Sequence, residues 1–311
     1  MAQRKKTPTP KSSSKNDTKV AAIVLGIFVA GLVVFFVISK NKEIAKHAQI
    51  VHRSVATPVE ISSPDENARP VETYHASSSA EPLADVAGSG GKIAFIIDDW
   101  GQTTANCKYL RDIPEPMAVS ILPGLRHTKD VAKCAKLYHK LAMLHLPLEA
   151  MHNFDFYPVN YIIKTTMKPE LVSKIVNGDL DQLPSIEGVN NHMGSKATAD
   201  RPLMRTIFRE VKKRGLFFVD SMTAHNTVCG SLADEMGLTF GRRDVFLDNV
   251  NTREAITKQM VALAHWARHH GYAVAIGHDR HLTMQVIKDE IPWLEKQGFK
   301  IVSIKELLRN R

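Results

Sequence analysis

The chain has 311 residues, of which 44% are apolar and 23% charged, with three cysteines and a formal net charge of +9. That apolar content excludes a wholly disordered chain, and a small, odd number of cysteines excludes a disulfide scaffold. A nucleic-acid binder needs a concentrated basic footprint, but residues 1–46 carry +7, residues 47–91 carry −4 and the rest carry +6 spread along the chain, so no nucleic-acid partner is expected.

Val20 to Ile38 (VAAIVLGIFVAGLVVFFVI) has no charged residue. At about 1.5 Å per residue it would span roughly 28 Å, close to the hydrocarbon thickness of a bilayer. A cleaved signal peptide has a shorter apolar core and a small-residue cleavage site. Here Ser39-Lys40-Asn41-Lys42 follows, so the segment reads as a retained anchor. Arg4, Lys5, Lys6, Lys11, Lys15 and Lys19 precede it, against Lys40, Lys42 and Lys46 after it. The heavier positive side stays in the cytoplasm. The expected organisation is therefore a basic cytoplasmic tail at 1–19, a single-pass transmembrane anchor at 20–38, a flexible linker at 39–91 and an extracytoplasmic domain at 92–311. The linker reading rests on Ser, Ala, Pro and Glu, the runs ASSSAEP and GSGG, and the lack of apolar periodicity.

From Lys92 the pattern changes. Short apolar runs predict strands at Lys92–Asp98, Met117–Leu122, Leu141–Leu146, Gly188–Asn191, Leu216–Asp220, Tyr272–Gly277 and Lys300–Ile304. Amphipathic spacing predicts helices at Thr128–Lys140, Pro169–Leu183, Pro202–Arg214, Thr252–His270 and Leu282–Gln297. Gly215, Gly271 and Gly298 each follow a basic last turn, where a C-cap glycine belongs. Alternating strands and helices predict an α/β domain with a parallel sheet, either a distorted or incomplete (β/α) barrel or a doubly wound open sheet. The G-x-G-x-x-G and P-loop motifs are both missing.

In either architecture the C-terminal strand ends line the site. The first carries Asp98-Asp99, the third His145 and then Glu149, the fourth Asn190-Asn191-His192, the fifth Asp220-Ser221 and the sixth His278-Asp279. Singly, such residues are turn formers, helix caps or hydrogen-bonded structural histidines. Jointly, Asp with two His makes a mixed oxygen and nitrogen set suited to Zn²⁺, Co²⁺ or Mn²⁺, with a coordination position left for water. A second carboxylate would take that water's proton, and the adjacent Asp98 and Asp99 suit such a division of labour. His225, His269, His270 and His281 read as surface residues.

The blocks AFIIDDWG (94–101), LHLPLEA (144–150), GVNNHMGSKATAD (188–200), GLFFVDSMTA (215–224), RRDVFLDN (242–249) and AVAIGHDRH (273–281) resemble the divergent polysaccharide deacetylase family, a distant branch of the carbohydrate esterase deacetylases. The resemblance implies a distorted (β/α) barrel. It also implies Asp98 as base, Asp99, His145 and His192 as metal ligands, and His278 as acid. Glu149, Asn191 and Asp220 are candidates for supporting or substrate contacts. The chain departs from the family pattern in three places. It lacks the superfamily's paired-histidine motif, it reads Gly277-His278-Asp279-Arg280-His281 where relatives read IGHPH, and it has Met222 where Arg is common.

The expected activity is membrane-anchored, metal-dependent removal of acetyl groups from an envelope polysaccharide, with Zn²⁺ favoured and Co²⁺ or Mn²⁺ as alternatives. The rivals are a catalytically silent deacetylase-like module that binds envelope glycan or protein, and a metal-dependent amidase or esterase on another envelope substrate. Cys107, Cys134 and Cys229 allow a disulfide outside the cytoplasm, but spacing alone does not pair them.

Overall fold

The computed structural model describes residues 90–152 and 162–309. The expected tail and anchor, and the expected linker up to residue 89, lie outside the described residues. Among the described residues, no helix is long and apolar enough to cross a membrane.

Among the described residues there are nine strands and eight α-helices. They run β1 (Lys92–Trp100), α1 (Cys107–Asp112), β2 (Ala118–Ile121), α2 (Thr128–Leu137), β3 (Leu141–Leu148), α3 (Pro169–Asp181), β4 (Gly188–Met193), α4 (Arg201–Lys213), β5 (Phe217–Asp220), α5 (Cys229–Met236), β6 (Phe240–Arg242), β7 (Val245–Phe246), α6 (Arg253–His270), β8 (Tyr272–His278), α7 (His281–Lys296), β9 (Lys300–Ile301) and α8 (Ile304–Arg309). All pairings are parallel, in the order β6-β5-β4-β3-β2-β1-β8-β7, and β9 pairs with the start of β1.

Strands β1 to β6 add successively in one direction, so right-handed crossovers keep their helices on one face and the sheet curls. A doubly wound sheet would instead reverse its order near the middle. The two sheet edges belong to one stretch of chain. β6 pairs with β5, β7 pairs with β8, and only Arg243 and Asp244 separate them. Arg243 N donates to Asp220 O and Asp244 N to Val274 O, each at 2.9 Å. The result is a distorted barrel joined across its gap by one irregular strand.

Side-chain alternation along each strand produces two cores. Ile93, Phe95, Ile97, Leu144, Leu146, Val189 and Phe218 face outward and pack under the helices. Ala94, Ile96, Ala118, Met143, Phe217, Val219, Val274 and Ile276 face inward, and Val302, Ile304, Leu307 and Leu308 close the bottom. Each of the larger buried side chains contributes about 1.5–3 kcal/mol. The interior is tight at one point in particular. A Cβ on Gly188 would lie 2.2 Å from the Phe217 ring, so only glycine lets that ring fill the barrel.

The expected elements form, with ends moved by a few residues. β1, β3 and β4 run further than expected, each ending beyond its site residue. The helix expected to Lys140 stops at Leu137, because His139 takes φ 55°. The strand expected to Ile304 ends at Ile301, and Ile304 opens α8. Gly215, Gly271 and Gly298 all have positive φ, as helix-ending glycines do. α4 and α6 start on Asp200 and Thr252, whose side chains accept from Leu203 N and Ala255 N. β6, β7, α5 and α8 carry too little periodicity to be read from sequence.

Candidate metal and catalytic site

The inward-facing alternation that fills the barrel with apolar side chains turns polar at the upper rim. There Asp98, Ser120, His145, Asn190, Ser221 and His278 continue the rows begun by Ile96, Ala118, Met143, Gly188, Val219 and Ile276. The strand register places them side by side, with Asp98 opposite His278 and His145 opposite Asn190.

Three candidate ligand atoms converge. Asp99 Oδ1 lies 3.0 Å from His192 Nδ1 and 3.3 Å from His145 Nε2, and the two ring nitrogens are 3.1 Å apart. Tetrahedral ligands bound at about 2.0–2.1 Å to Zn²⁺ stand roughly 3.3 Å from one another. The spacing and the chemistry of this triad therefore fit a divalent cation. Asp99 reaches it from a left-handed backbone, φ 66°, which turns its side chain out of the strand alternation and beside that of Asp98. Burial alone would raise the Asp99 carboxyl. Hydrogen bonds from His145 and His192 outweigh it and hold the group well below the usual carboxylate range.

Asn190 organises the floor. Its Nδ2 donates to Asp98 Oδ1 at 2.8 Å and to Ser221 Oγ at 3.2 Å. Its Oδ1 accepts from His145 Nδ1 at 3.0 Å and from the Ser120 hydroxyl. An ionised carboxylate only accepts, so Asp98 fixes the amide orientation, and the amide fixes the proton on His145 Nδ1. That leaves Nε2 as the nitrogen of His145 able to offer a lone pair to a cation, facing Asp99 and His192.

Asp98 is buried. Desolvation raises its pKa, opposed by the charges of His145 and His278. Across the site, His278 Nδ1 lies 2.9 Å from Asp248 Oδ1, and Asp248 Oδ2 accepts from His278 N at 3.0 Å and Thr283 Oγ1 at 2.7 Å. His278 Nε2 points inward, 3.8 Å from Asp99 Oδ2. Burial depresses the imidazolium, but the Asp248 hydrogen bond and the Asp99 charge raise it overall. Burial would raise Asp248, and its bond to His278 holds it low.

Asp98, Asp99, His145, His192 and His278 thus share one rim. The three supporting candidates do not reach it. Glu149 stands one residue past β3 and clamps a loop, accepting from Thr165 N at 2.7 Å, Thr165 Oγ1 at 2.8 Å and Lys196 Nζ at 2.9 Å. Asn191 faces the other side of β4 from Asn190 and accepts from Ser221 N at 2.9 Å. Asp220 accepts from Met222 N at 2.8 Å and Thr227 Oγ1 at 2.7 Å, fixing the loop after β5. His281 is exposed at the start of α7, and its Nδ1 lies 3.0 Å from the Tyr109 hydroxyl.

Sequence reasoning singled out neither Asp248 nor Arg243, and of the strand-end pair Asn190-Asn191 it took Asn191 as the candidate. Arg243 comes from the segment that joins the sheet edges. Its Nε donates to Ser221 O at 2.7 Å and its Nη2 to Met222 O at 2.9 Å, and the guanidinium lies 4.8 Å over the Phe246 ring. Burial lowers its pKa, countered by the nearby charges of Asp220 and Asp98. A cation therefore does reach the corner where Met222 replaces the family's arginine, but from a different element.

A family model described as divergent polysaccharide deacetylase matches residues 95–308. An uncharacterized protein of Haemophilus influenzae is 31% identical over 219 residues, covering 70% of this chain and 77% of that one. An uncharacterized Escherichia coli protein, YibQ, is 29% identical over 205 residues, 65% of this chain and 62% of its own length. Among solved structures, an uncharacterized protein from Agrobacterium tumefaciens superposes with a TM-score of 0.64 at 19% identity, over 71% of this chain and 90% of that one, which shows a shared fold.

Proposed function

The chain belongs to the divergent polysaccharide deacetylase family, and on that premise we propose that it is a metal-dependent hydrolase removing acetyl groups from an envelope polysaccharide. The observation that carries the proposal is the convergence of Asp99, His145 and His192 within 3.0–3.3 Å of one another, with Asp98 and His278 at the same rim.

Asp99, His145 and His192 would hold the cation, Zn²⁺ by preference, with Co²⁺ and Mn²⁺ as alternatives. Bound there, it would polarise an acetyl carbonyl and make water acidic enough to attack at neutral pH. Asp98 takes the proton from that water. Burial gives its carboxylate a high proton affinity, and the positive charge of His278 opposes this and favours the ionised form. His278 carries its Nδ1 proton toward Asp248, so a second proton at Nε2 faces the reacting atoms and passes to the departing amine or alcohol. Asp248 stabilises the cationic ring before the transfer.

In the same proposal the segment 20–38 anchors the chain, with residues 1–19 in the cytoplasm and the domain outside it. Protease added to sealed spheroplasts should then digest residues 92–311, and protection of that region would overturn the orientation. The activity is tested by incubating the full-length, Zn²⁺-loaded protein with acetylated peptidoglycan and acetylated chitooligosaccharides. Released acetate is measured beside an Asp98→Asn variant. Acetate release by the wild type, lost in the variant with metal retained, is the expected result. Metal binding without release of acetate from any acetylated glycan would overturn the reading and favour a silent binding module. Release of another product from peptide or lipid would favour the amidase or esterase alternative.

A further inference from the structure

Two of the three cysteines meet beside the site. Cys107 opens α1 and is buried. Cys134 lies on α2 between the buried positions Val131 and Ala135, on the stripe turned toward the core. Its side chain packs against the same apolar cluster that holds Cys107, Tyr109 and Leu110. α1 packs against α2, and burial together with the neighbouring Cys134 thiol pushes the Cys107 thiol up. Cys229 belongs to a different corner, at the start of α5, where its thiol neighbours Thr227 and Asp220.

We propose that Cys107 and Cys134 are joined by an intramolecular disulfide in an oxidising compartment, with Cys229 left as the free thiol. The oxidant is a disulfide, either of a small thiol such as glutathione or of a thiol oxidoreductase. Cys134 is the more accessible of the pair. Its thiolate attacks the oxidant, forming a mixed disulfide and expelling one thiol. The Cys107 thiolate then attacks the Cys134 sulfur and expels the second. Two protein thiols and one oxidant disulfide become one protein disulfide and two small thiols.

The link closes a loop around β2 and ties α1 to α2. It acts on the wall of the site, because the residue before Cys107 is Asn106, whose Nδ2 donates to Asp279 Oδ1 at 2.7 Å. Two residues after Cys107, the Tyr109 hydroxyl lies 3.0 Å from His281 Nδ1 and donates to Gln285 Oε1 at 3.0 Å. Fixing α1 therefore fixes the side of the cleft that carries Asp279 and the start of α7.

The compartment follows from the proposed topology, whereas the pairing is tested without it. The reduced full-length protein is equilibrated with oxidised glutathione, quenched in acid, unfolded and alkylated, and its intact mass and peptides are measured. One alkylated thiol, at Cys229, with a Cys107–Cys134 linked peptide that dithiothreitol removes, is the expected result. Three alkylated thiols, a glutathione adduct that never resolves, or a bridge to Cys229 would overturn the proposal. This count needs no variant. As a second measure, the oxidised protein should melt several degrees above the reduced one, by up to about 10 °C. That difference should vanish in Cys107→Ser, and the same difference in the variant would overturn the assignment.

Discussion

Asp248 grips His278 twice, through its ring at Nδ1 (2.9 Å) and through its main-chain N–H (3.0 Å). The carboxylate is wholly buried and takes a third bond from Thr283. One side chain thus sets the position, the tautomer and the charge of the proposed acid. Replacing Asp248 with Asn keeps the shape and removes the charge. The carboxylate favours the imidazolium and raises its pKa, so its loss lowers that pKa. The alkaline limb of the kcat profile should therefore move to lower pH, and kcat should fall by up to roughly 10²–10⁴-fold, the range of general acid catalysis. A fall in kcat with an unmoved alkaline limb would show that Asp248 only holds structure.

Asn190 couples the proposed base to a proposed ligand, because one amide bonds both Asp98 and His145. Truncating it to Ala leaves the His145 Nδ1 proton, the Ser120 hydroxyl and one bond of Asp98 unmet in a buried place. Each loss costs about 1–3 kcal/mol. It also frees the His145 ring to turn, and loss of such an outer partner weakens metal affinity by roughly 10–100-fold. Asn191→Ala is the control, since Asn191 bonds only the loops around Ser221 and Met193. Zinc affinities measured by competition with a chromophoric chelator should separate the two variants. Equal weakening in both would sink the distinction.

That distinction was within reach of the sequence. If His192 faces the barrel, alternation of period two puts Asn190 inward and Asn191 outward. Motif likeness alone points to Asn191. The strand ends at Asp98, His145 and His278 were legible because buried apolar runs stop at polar residues there. Glu149 looked the same but stands past the end of β3, where alternation no longer decides direction. Asp248 was hidden for another reason. It follows the two-residue strand β7, too short to show periodicity, and it meets His278 only through the pairing of β7 with β8. The closing segment β6–β7 was missed on the same ground, and Arg243 with it.

The proposed ligands make a prediction about metal content. Wild-type protein should carry about one transition metal per chain after zinc loading and dialysis. Asp99→Ala, His145→Ala and His192→Ala should each lose it, since two remaining ligands leave too few protein contacts for a tight site. Cobalt substitution adds a geometric readout, because visible absorption of Co²⁺ reports its coordination. Metal content by mass spectrometry is the first check. Retention of stoichiometric metal in His192→Ala would move the site elsewhere.

Asp179 offers a test of stability that does not touch the chemistry. It lies on α3, 6% exposed. Its Oδ1 accepts from Gln182 Nε2 at 3.2 Å, and its Oδ2 has no hydrogen-bond partner among the described residues. Burial pushes its pKa from 3.8 up to about 7. A raised pKa means that the folded protein holds the proton more tightly than the unfolded chain. Its stabilising effect is therefore complete below about pH 4 and is lost as the pH rises to about 7. Above that range the folded state keeps a buried, half-solvated charge. Asp179→Asn removes the charge and keeps the shape, so the variant should gain stability over the wild type as pH increases. The gain at pH 8 should exceed that at pH 5 by about 2–3 kcal/mol, an order-of-magnitude figure from the linkage relation. Urea unfolding of both proteins at pH 5, 6.5 and 8 measures it. A difference independent of pH would mean that the carboxyl is ionised and solvated in the folded protein, and that α3 is not sealed against the barrel at this turn.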